Sequence, residues 1–282
     1  MELLEFEFFI KNFDDSYTIK VFLCCTNIVL QNSPKDTEIL LFESGPMPDS
    51  NSPEILRIRY KFQFENGEEK QFDVLLNKQT LQVIQSSPAT HPEWTKLKYQ
   101  QCQNCPLKDD VAYCPVAVNI AHLIDEFKFS TSHDKTWVVV ETPERTYAHE
   151  TTVQNGLSAI LGIYMVTSGC PILDYLRPMV RFHLPFATAD ETVFRAVSMY
   201  LVAQYFRERK GLKPNWNLEG LVNIYKEINT VNKGMWNRLS KASSFDANVN
   251  ALIVLSTFGD ALRFSLKKDL ENLSKLFTMY LE

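Results

Sequence analysis

Four cysteines, Cys102, Cys105, Cys114 and Cys170, are the residues of this sequence best suited to chemistry. Cys102-x2-Cys105 sets two thiols one tight loop apart, close enough to chelate a single ion. Cys114 follows soon after, and Cys170 arrives from a distant part of the chain. Three of the four precede proline, as Cys105-Pro106, Cys114-Pro115 and Cys170-Pro171. Proline is favoured at the first helical position, so Cys114 and Cys170 are each expected at a helix N-cap. Free backbone N–H groups and the positive helix end would stabilise a thiolate there and lower its pKa. Thiolates are what zinc and iron–sulfur clusters require, so the expected cofactor is one of these two.

The choice of metal stays open. Structural zinc sites more often use two CxxC knuckles, and only one exists here. Isolated Cys-Pro pairs with three-plus-one spacing fit cluster ligation. His122 or His149 could replace Cys170 as the fourth ligand. Two competing readings remain: cysteines as small buried hydrophobes with an incidental CxxC, and a redox dithiol. The βαβ context expected around a thioredoxin-like CxxC is missing. Cys24 and Cys25 are neighbours in a strand pattern, where side chains face opposite ways, and read as core and surface residues.

A second polar cluster lies in Leu176–Phe186, where Arg177, Arg181 and His183 sit between Pro178 and Pro185. Glu191 and Arg195 follow at i, i+4 on the next expected helix, facing one side. Three arginines and a histidine near a helix start could hold a small anionic ligand, a phosphate or carboxylate. The competing reading, a salt-bridge network tying two helices together, is favoured because structural ion pairs mimic sites. Gly156, Ser158, Ala159 and Gly162 form a small-residue face suited to close helix packing, and their spacing matches no phosphate-binding fingerprint. No Ser–His–Asp arrangement or HExxH occurs. Tyr200, Tyr205, Phe206, Trp216, Tyr225 and Trp236 read as core aromatics.

The elements that must position these residues divide the chain into a strand-rich front and a helical back. Leu56, Ile58, Tyr60, Phe62 and Phe64 alternate with polar residues, the period of a half-buried strand. Asn66-Gly67 supplies a tight turn, Phe72, Val74 and Leu76 resume the alternation, and Leu81 and Val83 indicate a third short strand. Leu4, Phe6, Phe8 and Ile10 give the same outline 52 residues earlier (4 to 56). After a turn at Asp14-Asp15 the outline continues through Ile19, Val21, Leu23, Ile28 and Leu30. Two copies of one antiparallel β-meander are expected, at 1–43 and 54–87, within a β-rich region 1–99. Ser44–Pro53 is a loop between them.

A cysteine-bearing junction, 100–150, carries a helix from Pro115 to Phe127 and a strand over Thr136–Glu141, with Arg145–Tyr147 returning beside it. A helical domain spans 151–282. Its first helix, Thr152–Thr167, ends at Ser168-Gly169. Thr188-x-x-Glu191 is a capping box opening a helix that stops at Gly211. Asn217 and Asp246 are expected N-caps, and the last helix is expected to break near Gly259. The fold class is α+β, with N-terminal antiparallel β-meanders followed by mainly helical structure.

Bulk composition narrows the function classes. The 282 residues allow two domains, and 45% hydrophobic with 22% charged residues is ordinary globular composition. A net charge of −5, from 29 basic and 34 acidic residues, with no dense basic run, argues against nucleic acid as a partner. The N-terminus carries acids where a signal peptide carries lysines. The uninterrupted apolar runs fall short of the roughly 20 residues that span a bilayer, so neither export nor a membrane partner is expected. In a cytoplasmic chain the cysteines should be thiols or ligands rather than disulfides.

The strings QCQNCPL…YCPVA, SGCP…LRPMVRFHLPF and ETVFRAVSMYLVAQYF resemble a family of uncharacterised bacterial proteins. The resemblance runs from about Ile55 onward and is most specific at the cysteines. It implies a cytoplasmic protein with this cysteine motif, and no mechanism. The leading expectation is a metal centre stapling the β front to the helical back, in a structural or regulatory role. An enzyme is the alternative, through an anionic-substrate pocket at Arg177, Arg181 and His183 or through redox iron–sulfur chemistry. A homo-oligomeric scaffold built on the helices or meanders is a third.

Overall fold

Near the N-terminus, Leu4–Lys11 (β1), Ser16–Cys24 (β2) and Asn27–Gln31 (β3) form an antiparallel sheet in sequence order, with Leu4 opposite Leu23 and Val21 opposite Leu30. These strands belong to one compact unit, Met1–Ser50, and the rest of the chain to a second, Asn51–Glu282. This computed structural model describes residues 54–84, 91–242, 246–268 and 270–282 besides those three strands. The expected turn at Asp14-Asp15, the loop Ser44–Pro53 and Cys25 lie outside the described residues.

In the second unit the alternation of Leu56 to Phe64 becomes strand Ile55–Phe64 (β4), and Asn66-Gly67 turns it into Glu69–Asn77 (β5). Gly67 takes φ +83, a conformation that glycine adopts without a Cβ clash. The third strand expected at Leu81 and Val83 is reduced to one bridge, Leu76 to Val83. The other edge of β4 is taken by Lys135–Glu141 (β6), which pairs in turn with Thr146–Thr152 (β7). The order is therefore β5-β4-β6-β7, with the first strand of the hairpin in the middle, whereas the N-terminal sheet has its second strand in the middle.

Period-2 alternation sends Ile58, Tyr60, Phe62, Val74, Leu76, Val138 and Val140 to one face, where they are buried. The opposite face carries ion pairs across strands, Arg59 to Asp73 at 2.7 Å and Lys61 to Glu141 at 3.0 Å. Against the buried face pack Pro115–Glu126 (α1) and Val153–Val166 (α2). The small-residue face of α2 serves close packing, as expected. A Cβ on Gly156 would lie 2.7 Å from the Phe62 ring and 2.9 Å from a Val138 methyl.

Pro178–Arg181 (α3) leads to Ala189–Arg209 (α4), whose capping box between Thr188 and Glu191 is formed in both directions. The chain then runs through Glu219–Ala242 (α5), Ala247–Lys267 (α6) and the short Glu271–Ser274 (α7). Asn217 accepts from the Glu219 N–H at the start of α5. Asp246 occupies the N-cap of α6, but its carboxylate reaches across to the Ser132 N–H (3.0 Å) and hydroxyl (2.8 Å). The break expected at Gly259 is absent. α6 continues through it, with Tyr225 packed 3.6 Å from where its Cβ would lie. Averaged over its length, Ala247–Leu266 is long and apolar enough to cross a membrane, which uninterrupted runs in the sequence do not reveal. In the structure α6 packs against α2 and α5 through Ala247, Ala251 and Leu252 and leaves Ile253 and Phe264 exposed. Trp216, Trp236, Tyr205 and Phe206, expected in the core, are also exposed, while Tyr200 and Tyr225 are buried.

Gly156→Val should overpack the α2–sheet contact and lower the free energy of unfolding by about 2 kcal/mol or more, read from denaturant titration. Hydrogen bonds from Ser132 hold the Asp246 carboxyl below its ordinary pKa. A depressed folded-state value means the stabilisation is complete above the unfolded value of about 3.9 and is lost as pH falls through the folded value. The stability gap between the native chain and Asp246→Asn should therefore be open at pH 6 and close on acidification, in denaturation series at several pH values.

Candidate functional site

The segment from His91 to Cys114 contains little regular structure: a 3-10 turn at Glu93–Thr95 and one bridge between Lys96 and Tyr113. Backbone bonds close it into a loop, from the Leu97 N–H to the Ala112 carbonyl (2.9 Å) and from the Cys114 N–H to the Thr95 carbonyl (2.8 Å). At the knuckle, the Cys105 N–H bonds the Cys102 carbonyl at 3.1 Å, which turns both side chains toward the interior. Such a loop buries few of its own apolar groups, so something outside it must fix its shape.

One face of α5 does so. Glu227, Val231, Gly234 and Arg238 recur at i, i+4, i+7 and i+11, and each meets the loop. Asn104 donates to the Glu227 backbone carbonyl (2.9 Å) and carboxylate (2.7 Å). The Cys102 thiol lies 3.9 Å from the Val231 carbonyl. A Cβ on Gly234 would fall 2.5 Å from the Cys102 sulfur, so only glycine permits this approach. Arg238, 1% exposed, donates to the carbonyls of Trp94, Lys96 (2.7 Å) and Leu97 (3.2 Å). Its guanidinium also sits 5.8 Å from the Tyr99 ring centroid.

Cys102, Cys105 and Cys114 lie beside this guanidinium, and Cys170 lies near these thiols. Burial pushes the Cys102 thiol up to about 12, and negative charge on Cys114, Cys105 and Cys170 would push the same way, opposed by Arg238. Burial likewise raises Cys170, although the Leu173 and Ile172 N–H groups bond its sulfur and pull it down. Arg238 is lowered by burial and held up by Cys114, Cys102, Tyr99 and Cys105. The expected thiolate-stabilising N-caps thus need correction. Cys114 is the N-cap of α1 with Pro115 next, but its side chain makes no cap hydrogen bond. Cys170 opens a turn before a 3-10 helix, Leu173–Leu176, rather than an α-helix. At Cys170 desolvation outweighs the pull of the Leu173 and Ile172 N–H groups.

All four are free thiols. Among the described residues no group of three or more His, Cys, Asp or Glu side chains is drawn together closely enough to hold a metal ion. The cysteines are electrostatic neighbours without being assembled into a coordination shell. The two histidines considered as substitutes lie elsewhere: His122 packs edge-on to Tyr164 at 5.0 Å, and His149 against Phe186 at 5.4 Å.

The second polar cluster is only partly brought together. Arg177 pairs with Asp174 at 3.0 Å, Arg181 with Glu144 at 3.1 Å, and the Glu191 carboxylate is committed to Thr188. Arg195 does not bond Glu191. It turns inward and donates to the Met179 carbonyl at 3.2 Å. His183 Nε2 shares a hydrogen bond with the Tyr60 hydroxyl at 2.5 Å, and burial pushes the His183 pKa down to about 3, so the ring in this contact is neutral. Sequence reasoning missed Arg238 and the Tyr60–His183 pair. Arg238 was detectable as a charged residue on the apolar stripe of α5 formed by Leu221, Tyr225, Ile228, Val231 and Met235. Nothing local to Tyr60 marks its partner.

Residues 58–278 match the family described as Domain of unknown function (DUF6901), and the chain belongs to it. The match contains all four cysteines, and the family's description carries no activity. No curated protein and no solved structure matches the chain.

Arg238→Met should leave three loop carbonyls without a donor and cost about 3 kcal/mol. Arg238→Lys, with a single ammonium in place of the fork, should recover less than half of that loss in the same denaturation assay.

Proposed function

We propose that this member of the DUF6901 family holds one metal ion, zinc, on Cys102, Cys105, Cys114 and Cys170, and that the ion staples the irregular loop to the helices. The observation that carries this reading is the gathering of Cys102, Cys105 and Cys114 beside a buried arginine with no carboxylate partner among the described residues, with Cys170, from a distant part of the chain, next to the same thiols. Four thiolates on a divalent ion leave a net charge of −2, and a buried guanidinium beside them compensates part of it.

Four sulfurs would make a closed structural site with no ligand position open for a substrate, and binding requires the thiols to close in from the positions they hold here. Tight packing of α5 on Cys102, where a single methyl on Gly234 would collide, favours one ion over a bulkier iron–sulfur cluster. Two cavities found among the described residues of the second unit are lined by none of these cysteines. A loop with so little regular structure gains most from a cross-link, because ordering it costs conformational entropy that its own contacts do not offset. The centre is therefore read as structural, and the free thiols fit a reducing compartment such as the cytoplasm.

Elemental analysis of anaerobically purified protein tests this. One zinc per chain, a colourless solution, and loss of the metal in Cys102→Ser and Cys170→Ser are expected, with a chelator-induced drop in the melting temperature. Visible absorbance with bound iron would replace zinc by a cluster. Absence of both metals would remove the centre altogether.

A further inference from the structure

Between α2, α3, α4, α5 and α6 lies a cavity of about 390 Å³, within the roughly 300–1,000 Å³ range of small-molecule sites. Most of the residues lining it are apolar, including Ala159, Ile163, Leu176, Ile228 and Leu255. Several lining groups are polar, His149, Thr151, Asn155, Thr192 and Asn229 among them, and four others are under-used. Arg195 lines it with a buried Nε that has no hydrogen-bond partner, and no carboxylate lies within ion-pair distance among the described residues. Tyr225, 6% exposed, has only the Met179 sulfur, 3.9 Å away, as a partner for its hydroxyl. Asn232 and Ser158, 7% and 2% exposed, also line the cavity and make no side-chain hydrogen bond among the described residues.

Arg195 is half-buried, and a cation withdrawn this far from water gains from a counter-charge, as its buried Nε gains from an acceptor. The nearby acids do not meet the need. Glu191 is fixed as the cap of α4, Asp174 by Arg177 and Glu144 by Arg181. Asp260 faces Asn229 and Arg263. His183 stands at the same wall as a neutral ring already bonded to Tyr60, so it adds no second positive charge. One cation, a phenolic donor and a mainly apolar chamber suit a ligand with one negative charge and an apolar body. They do not suit a doubly charged phosphate, for which a second cation would be needed.

We propose that this cavity binds an apolar carboxylate, its anionic head on Arg195 and Tyr225 and its hydrocarbon body between α2, α5 and α6. The site is separate from the cysteines and does not depend on the metal reading. α5 serves both, with Val231, Gly234 and Arg238 toward the loop and Tyr225, Ile228 and Asn232 toward the cavity.

Octanoate and octan-1-ol, identical in chain and different in head group, are the probes, titrated into the intact protein by calorimetry. Octanoate should bind one to one and at least tenfold more tightly than the alcohol, as expected for a charge-assisted contact. Arg195→Met should abolish that discrimination, Arg195→Lys should keep part of it, and Arg177→Gln should leave it unchanged. Ala159→Phe, which fills the chamber, should block both probes. Equal affinity for acid and alcohol in the unmodified protein would overturn the proposal without any variant. So would no binding of octanoate at millimolar concentration, or binding that survives Ala159→Phe and therefore belongs to an exposed apolar face.

Discussion

The guanidinium of Arg238 joins the parts of the second unit that would otherwise have least reason to meet. It is fully buried and spends its fork on three carbonyls of the segment Trp94–Leu97, a stretch with almost no regular structure. Carbonyls in such a loop must find donors if they are to leave water, and one planar group with five N–H donors is an economical source. The same side chain places positive potential beside three of the cysteines. Loop shape, the orientation of α5 and the electrostatics of the thiols therefore depend on one residue.

Close approach is the second constraint. Gly234 lets α5 come near enough for Cys102 to sit against its backbone, and Gly156 lets α2 lie on Phe62 and Val138 of the sheet. The two glycines act in the same way at opposite ends of the core, one on the cysteine loop and one on the sheet. Helix and sheet contacts of this kind are set by backbone separation more than by any attractive pair. α5 gains two functional faces as a result, one toward the loop and one toward the mainly apolar cavity. Charged and polar groups on both faces are buried with incomplete partnering, a pattern more characteristic of sites than of cores.

The sheet shows how far local pattern reaches. Hairpin β4–β5, its turn, and the burial of alternate residues were all legible, since period-2 alternation and Asn-Gly are local signals. The neighbour of β4 was not. Leu81 and Val83 look as strand-like as Thr136–Glu141 does, but β6 offers a ladder six residues long on β4 while Val83 makes a single bridge. The arginine cluster divides along the same line. Arg177, Arg181, His183, Glu191 and Arg195 are close in sequence, and the favoured reading of structural ion pairs with Glu191 as a helix cap could be made from that pattern, but not the partners. Acids from outside the cluster's own pattern, Asp174 and Glu144, claim two of the arginines.

By itself the sequence determined the α+β class, the capping box at Thr188 and Glu191, the helix following Cys114-Pro115, and the identity of the four cysteines. Each rests on spacing, side-chain chemistry and backbone preference within a few residues. Only the tertiary structure decided that Cys170 lies near the other three, that His122 and His149 pack against Tyr164 and Phe186, and that burial raises Cys102 and also Cys170, where a helix N-cap was expected to lower it. It also decided which arginine is left without an acid. Desolvation and pairing belong to whatever packs around a group, and those neighbours come from chain segments as far away as α5, about which local pattern carries no information.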